Sequence, residues 1–461
     1  MTNFRFNHIL AAAVAMTGAL AASAENPIVQ TCFTTDPAPM VYDGTLYLYT
    51  GHDEDGADFF WMQEWRVYST NDMVNRTDHG SPLAIEDFSW GDDRAWAPQC
   101  VERNGKFYFY VPLHSRLSGG MAIGVAVGDS PTGPFKDALG KPLFDNGSWD
   151  NIDPTVFIDD DGQAYLYWGN PRLYCALLND DMVSIKGDVI EMEQSEESFG
   201  APAPDKRVKD KKYRDIYTEG PWFYKRGGKY YMLYAAGGVP EHIAYSMSDK
   251  PTGPWKYMGE IMPLQDTGSF TNHCGVADYK GRSYFFYHTG KLPRGGGFAR
   301  SASVEEFKYN PDGTFPTINA TAEGVAPVGT LNPFSRVEAE TMAFSKGVKS
   351  EQNARTGVYV SDIHNGDYVK VRQVDFSKKS PTTFKAAAAS ALRGGVIEVH
   401  TDSIGGPLVA ELKVDGTGGW EEWRTFQTPV KAAPQGVKDL FFVFKGRKGP
   451  KLFNFDYWTF E

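Results

Sequence analysis

Three acidic residues, Asp36, Asp153 and Glu219, each stand at the head of an apolar segment that runs into a Gly-containing turn and a stretch rich in Tyr and Phe. Ala97 and His273 occupy the same phase of the pattern, so five such positions recur every 54 to 66 residues. A single Asp-Pro is an ordinary turn starter. Three carboxylates at one phase of a repeat say more, because a closed repeat brings equivalent positions into one space, where anions repel. The chemistry such a set can perform is hydrolysis of a glycosidic bond. One carboxylate activates water and one carboxylic acid protonates the leaving oxygen, the two standing roughly 6.5–9.5 Å apart when the reaction inverts configuration. The third raises and orients the acid.

The elements that must position these groups are short strands. The five copies begin at Asp36, Ala97, Asp153, Glu219 and His273, and turn at Asp43-Gly44, Asn104-Gly105, Asp161-Gly162, Gly227-Gly228 and Lys280-Gly281. These are hairpin signals, since primed turns need residues that tolerate positive φ. Each interval holds two further strand-like runs, such as Met121–Val127 and Ile243–Met247. Four strands per unit in five units, with no long amphipathic helix, predict an all-β chain whose residues 25–325 form a five-bladed β-propeller. Its first strands would line a central channel. The near-identical phrases Asp129-Ser-Pro-Thr-Gly-Pro-Phe and Asp249-Lys-Pro-Thr-Gly-Pro-Trp read as turns that close blades.

Asp36-Pro-Ala-Pro, Trp96-Ala-Pro, Asp153-Pro-Thr with its Tyr165-Leu-Tyr-Trp continuation, and Thr218-Glu-Gly-Pro together resemble glycoside hydrolase family 43 over about residues 26–325. The resemblance implies a five-bladed propeller and an inverting mechanism. It implies Asp36 as general base, Asp153 as the group that tunes and orients the acid, and Glu219 as general acid. His273 corresponds to a channel histidine that often sits beside a calcium ion reached through waters, and Arg300 to an arginine that fixes the acid or the sugar. Trp96, Trp168 and Trp222 lie close to these motifs and are candidates for a sugar platform. Phe59-Phe60-Trp61, in a loop after the first hairpin, is a candidate subsite wall.

Beyond a linker at residues 326–334 the repeat stops. Residues 335–461 show short alternating strands, which predict a β-sandwich of jelly-roll type. Val337-Glu-Ala-Glu, Asn365-Gly-Asp-Tyr, Gly418-Gly-Trp-Glu-Glu-Trp and Leu452-Phe-Asn-Phe-Asp-Tyr resemble carbohydrate-binding module family 6. That resemblance implies a structural calcium on Glu338, Glu340 and Asp456, oxygen donors of the kind calcium takes. It also implies a sugar cleft with Glu351, Trp420 and Asn454. Where many such modules carry a second aromatic, this chain reads Ser361-Asp362-Ile363, a departure that weakens the platform.

Bulk properties narrow the partners. The 461 residues carry a net charge of −12, and the Lys206–Lys212 cluster, interrupted by Asp210, reads as a solvated loop. Nucleic acid and anionic membrane surfaces both ask for a basic face, which this balance argues against. Residues 1–24 combine Arg5 and His8, an apolar run from Ile9 to Ala22 and a terminal Ala22-Ser23-Ala24, the pattern of a cleaved export signal. The run is too short for a permanent anchor, so a secreted or periplasmic protein without membrane insertion is expected. Four widely spaced cysteines leave disulfides or free thiols open. No organic cofactor is implied. The two resemblances together imply an α-L-arabinofuranosidase acting on plant cell-wall arabinoxylan. Alternatives are a β-xylosidase of the same fold and a non-catalytic carbohydrate-binding propeller. A fructan hydrolase would open on Asn-Asp-Pro-Asn, which Thr34-Thr-Asp-Pro does not match.

Overall fold

The computed structural model describes residues 25–200 and 217–461; the expected export signal and the Lys206–Lys212 loop fall outside them. The chain is all-β; the described residues hold one short helix, Glu196–Phe199, and a 3-10 turn at Ile85–Asp87. No helix among the described residues is long and apolar enough to cross a membrane.

Through residue 307 the strands form five consecutive antiparallel meanders, led by Phe33–Tyr42, Gln99–Arg103, Thr155–Ile158, Glu219–Arg226 and Gly275–Tyr279. The turns follow the sequence signal. Asp43-Gly44, Asn104-Gly105, Gly227-Gly228 and Lys280-Gly281 have both residues at positive φ, the primed geometry that matches strand twist. At Asp161-Gly162 only the glycine does.

Each sheet packs on the next through aromatics at alternate positions. Tyr49 and Trp65 meet Phe109 between the first and second sheets, and Tyr167 meets Phe223 between the third and fourth. Leu48 of the first sheet shares a core with Tyr284 and Phe286 of the fifth, so the fifth packs back on the first. The fifth sheet departs from the four-strand expectation, with three: Gly275–Tyr279, Arg282–Thr289 and Ser301–Phe307. Its outer edge is covered by residues 26–28. The Asn26 side chain exchanges hydrogen bonds with the Val304 backbone, both at 3.1 Å, and Ile28 N donates to Ala302 O at 2.8 Å. An open edge is thereby satisfied by the start of the described chain.

From Val337 onward two more antiparallel sheets form, one built around Asn454–Phe460 and one around Val437–Lys445. Phe442 of the second lies against Phe384, Phe455 and Trp458 of the first, across a shared apolar core. The two halves are joined by backbone. Thr341–Met342 adds to the outer strand of the first meander, with Thr341 opposite Thr77 and Met342 opposite Arg76. Glu25 pairs with Lys370 at 3.2 Å and with Arg372 at 2.5 Å, and Lys349 with Asp55 at 2.9 Å. All four cysteines are free thiols, so no disulfide contributes. Burial raises the thiol pKa of Cys100 to about 12 and of Cys175 to about 11.

Candidate active site

The heads of the leading strands converge on a cavity of about 730 Å³, within the range of small-ligand sites. Asp36, Asp153, Glu219, His273, Arg300 and Trp96 all line it. The backbone is bent to aim the two aspartates. Asp36 (φ 51°) and Asp153 (φ 58°) lie in the left-handed region although each precedes a proline, which favours extended backbone. Such conformations cost about 1–3 kcal/mol each and collect at functional sites. The strand register shifts between Thr35 and Ala38 and again between Glu219 and Trp222, so both leading strands bulge where the carboxylates enter the cavity. Gly220 (φ 63°) cannot be replaced without cost, since a Cβ there would stand 3.0 Å from the His273 ring.

Electrostatics separate the carboxyls. Burial alone would raise Asp36, but Arg300 and two histidines more than reverse this and hold it well below the usual carboxylate range. Arg300 Nη1 lies 3.5 Å, His288 Nδ1 3.3 Å and His273 Nδ1 3.8 Å from Asp36 Oδ1. Glu219 is pushed upward, first by burial and then by the Asp36 charge, while an Asn170 Nδ2 hydrogen bond to Oε2 partly opposes the rise. Asp153 is raised well above its ordinary value by burial and by Glu219, and its Oδ2 accepts from Gly220 N at 2.9 Å, next to Glu219. Burial drops the His273 pKa to about 4, so it is neutral at ordinary pH. One carboxyl driven down and another driven up in the same cavity is the electrostatic arrangement that a base and an acid require.

Arg300 is buried rather than a surface residue. It donates to Asp53 from N, Nε and Nη2 at 2.8–2.9 Å and lies over the Phe60 ring at 4.8 Å. Its carboxylate partner in the cavity is Asp36. Phe59 and Phe60 also line the cavity, and Trp96 Nε1 donates to Phe60 O at 2.9 Å.

Two platform candidates are corrected. Trp168 is fully buried, packed on Phe144 and Tyr174, with Nε1 donating to Asn151 at 3.2 Å. Trp222 is 5% exposed and belongs to the core between sheets. Proximity to a motif in sequence suggested the platform, but strand alternation and the bulge turn both rings inward. Residues the repeat did not flag are also present: Asp53 behind Arg300, His288 behind Asp36, Asn170 on Glu219, and Glu241 on the cavity wall.

In the C-terminal part, Asn454 Nδ2 donates to Trp420 O at 2.7 Å. Lys451 Nζ lies 4.9 Å over the Trp420 ring, 3.8 Å from Glu351 and 2.7 Å from Ser361 Oγ. Glu351, Trp420 and Asn454 are thus linked through Lys451, with Ser361 holding the amine where a second aromatic was absent. Arg336 bridges Glu338 at 2.8 Å and Asp456 at 3.4 Å. The buried Oε2 of Glu340 has no hydrogen-bond partner, and burial followed by the Glu338 and Asp78 charges raises its pKa well above normal. Among the described residues these three carboxylates do not bring three ligand atoms together, because Arg336 holds two of them, so a cation there would have to displace the guanidinium and draw in the orphaned Glu340 oxygen. Around His273 no three metal-ligating atoms gather, among the described residues, so an ion there would be held chiefly by water.

The sequence matches the family model of Glycosyl hydrolases family 43 over residues 24–315 and that of Carbohydrate binding module (family 6) over residues 338–461. It is 34% identical to the arabinoxylan arabinofuranohydrolase of Bacillus subtilis strain 168, across 94% of this chain and 92% of that protein. The arabinoxylan arabinofuranohydrolase of Paenibacillus polymyxa is 33% identical across 94% of this chain and 74% of its own. Xylosidase/arabinosidase 43A of Humicola insolens is 31% identical across 63% of this chain and 98% of its own. The crystal structure of a family 43 arabinoxylan arabinofuranohydrolase from Bacillus subtilis, in complex with cellotetraose, superposes with a TM-score of 0.80 at 32% identity, covering 95% of this chain and 97% of that one.

Proposed function

The chain belongs to the glycosyl hydrolases of family 43, with a family 6 carbohydrate-binding module after the catalytic part, and from that membership we propose that it is an inverting α-L-arabinofuranosidase releasing arabinose from arabinoxylan. The observation that carries the reading is the pairing, in one cavity, of a buried carboxyl pulled well below its usual range by Arg300 with a buried carboxyl pushed above its usual range by burial and the Asp36 charge. Asp36 takes a proton from the attacking water. Glu219 gives its proton to the leaving xylan oxygen. Asp153, whose Oδ2 accepts from Gly220 N, orients the adjacent Glu219. Arabinoxylan is favoured because the two relatives that share 33–34% identity across 94% of the chain are named for it, whereas the xylosidase/arabinosidase at 31% identity covers 63% of the chain and the one that covers 92% is only 23% identical.

The same reading includes a five-bladed propeller at residues 25–325, closed by residues 26–28 on the fifth sheet, a linker at 326–334 and a β-sandwich module at 335–461. It includes a structural calcium on Glu338, Glu340 and Asp456, which would displace Arg336 and add a cross-link, and water-held calcium near His273. Export by residues 1–24 places the enzyme where polysaccharide is found.

On arabinoxylan the protein is expected to release L-arabinose whose first-formed anomer, followed by proton NMR, is inverted. Asp36→Ala and Glu219→Ala should each lower kcat by about 10²–10⁴-fold while oligosaccharide affinity is kept. A retained anomer, or full turnover without Asp36, would falsify the assignment.

A further inference from the structure

The C-terminal half carries an aromatic ring on which a sugar could stack, but that ring is already covered. Trp420 is half-buried, and the Lys451 ammonium lies 4.9 Å over its face, within cation–π range. The amine is held from two further sides. It donates to Ser361 Oγ at 2.7 Å and stands 3.8 Å from Glu351 Oε1, while the other oxygen of Glu351 accepts from Tyr359 OH at 3.2 Å. Only 23% of the Lys451 side chain is exposed, where a lysine is ordinarily in solvent.

Backbone contacts fix both partners. Directly after Lys451, Leu452 N donates to Ile363 O at 2.8 Å, and Leu452 O accepts from Ser390 Oγ at 2.6 Å. Trp420 O accepts from Asn454 Nδ2 at 2.7 Å, and the buried Asn454 Oδ1 has no partner among the described residues. Ser361, at the end of the strand Gly357–Ser361, is too short to stack on a sugar and serves instead to anchor the amine. The rim is acidic: Asp362, Glu421 and Glu422 are all exposed beside Ser361 and Trp420. A negative rim opposes capture of an anionic sugar by the lysine. A neutral pyranose has to lift the amine off the ring and away from Glu351, and its hydroxyls bring no charge to replace that pairing.

We propose that Lys451 closes this platform: its amine takes the place of a sugar ring on Trp420, so the C-terminal half does not capture xylan there and serves as a brace for the catalytic half. The strand that carries Glu351, Lys349–Asn353, is committed in the same sense. Lys349 Nζ bonds Asp55 Oδ2 at 2.9 Å, and Gln352 Oε1 accepts from Ser81 N at 2.8 Å. Asp55 lies in the loop whose Phe59 and Phe60 line the catalytic cavity. Closure is independent of which glycosidic bond that cavity cleaves.

Adsorption of the whole chain to insoluble arabinoxylan, measured as the bound-to-free ratio, tests the closure. Every variant also carries Asp36→Ala so that no sugar is hydrolysed, and the chain with that change alone is the parent. Trp420→Ala should leave the ratio within about twofold of the parent, because the ring is not in use. Lys451→Ala uncovers the ring and adds a second point of attachment, so the ratio should rise about threefold or more. Adding Trp420→Ala to Lys451→Ala should return it to the parent value, and Lys451→Arg, which keeps a cation on the ring, should not raise it. A loss beyond twofold in Trp420→Ala, a smaller rise in Lys451→Ala, a rise that survives loss of Trp420, or an equal rise in Lys451→Arg each overturns the proposal. If Lys451→Ala does not fold by thermal melting, Ser361→Ala, which frees the amine from its anchor, takes its place and must raise the ratio in the same Trp420-dependent way. On insoluble glucuronoxylan the parent and Trp420→Ala should again agree. Weaker adsorption of Trp420→Ala there would make Lys451 a receptor for an acidic sugar and overturn the closure.

Discussion

Asp36 owes its charge to neighbours that are themselves anchored. Arg300 cannot swing away, because three hydrogen bonds fasten it to the buried Asp53. Replacing it by an uncharged side chain leaves burial unopposed, and burial raises a carboxyl. In Arg300→Met the acid limb of kcat/KM should therefore move to higher pH, since protonated Asp36 cannot act as base, and kcat/KM at pH 5 should fall by about 10²-fold or more. A pH–rate profile checks this, and an acid limb unchanged from wild type would refute it. The sequence displayed Asp36, Asp153 and Glu219 because they share a phase of the repeat. Asp53, His288 and Glu241 were invisible to that logic. They sit at the ends of second strands or in loops, where equivalent positions carry unrelated residues, and only folding reveals whom they touch.

At the scale of elements, the turns were legible because two positive φ angles in a row demand Gly, Asn or Asp, and the strands because aromatics recur at alternate positions. The three-stranded fifth sheet was not. Its missing edge is supplied by residues far away in sequence, and residues 26–28 carry no strand pattern of their own. Trp168 and Trp222 failed as sugar platforms because plain strand alternation turns Trp168 into the core, and a bulge between Glu219 and Trp222 redirects Trp222. In the C-terminal part, the two strands Val337–Glu338 and Asn454–Phe460 pair and bring Glu338 and Asp456 together, with Glu340 two residues on. Their surplus negative charge leads to a prediction. Chelation with EDTA should lower the melting temperature, added calcium should restore it, and Glu340→Gln should abolish the response. A melting temperature indifferent to both additions excludes the ion.

Over the whole molecule the two halves hold each other through buried polar contacts. Glu25 is 4% exposed and is pinned by Lys370 and Arg372. Asn75 exchanges hydrogen bonds at 2.8 Å with the Arg372 backbone. Removing one partner of a buried ion pair leaves charge poorly compensated, at a cost on the order of 3 kcal/mol. Glu25→Ala should lower stability by about that amount in urea denaturation, in one transition that unfolds both halves together. Two separate transitions, with the catalytic half unaffected, would show the contact to be incidental.

The added strand Thr341–Met342 bears on how the protein comes into being. The first meander is begun by residues near the start of the chain and finished by residues some three hundred positions later, and Glu25 likewise waits for Lys370. During vectorial emergence, from a ribosome or across a membrane, Glu25 and the outer edge of the first meander must stay unsatisfied until residues 341–370 have followed. Maturation is then gated by completion of the polypeptide, and a prematurely terminated product is left with a raw sheet margin that quality-control proteases can seize.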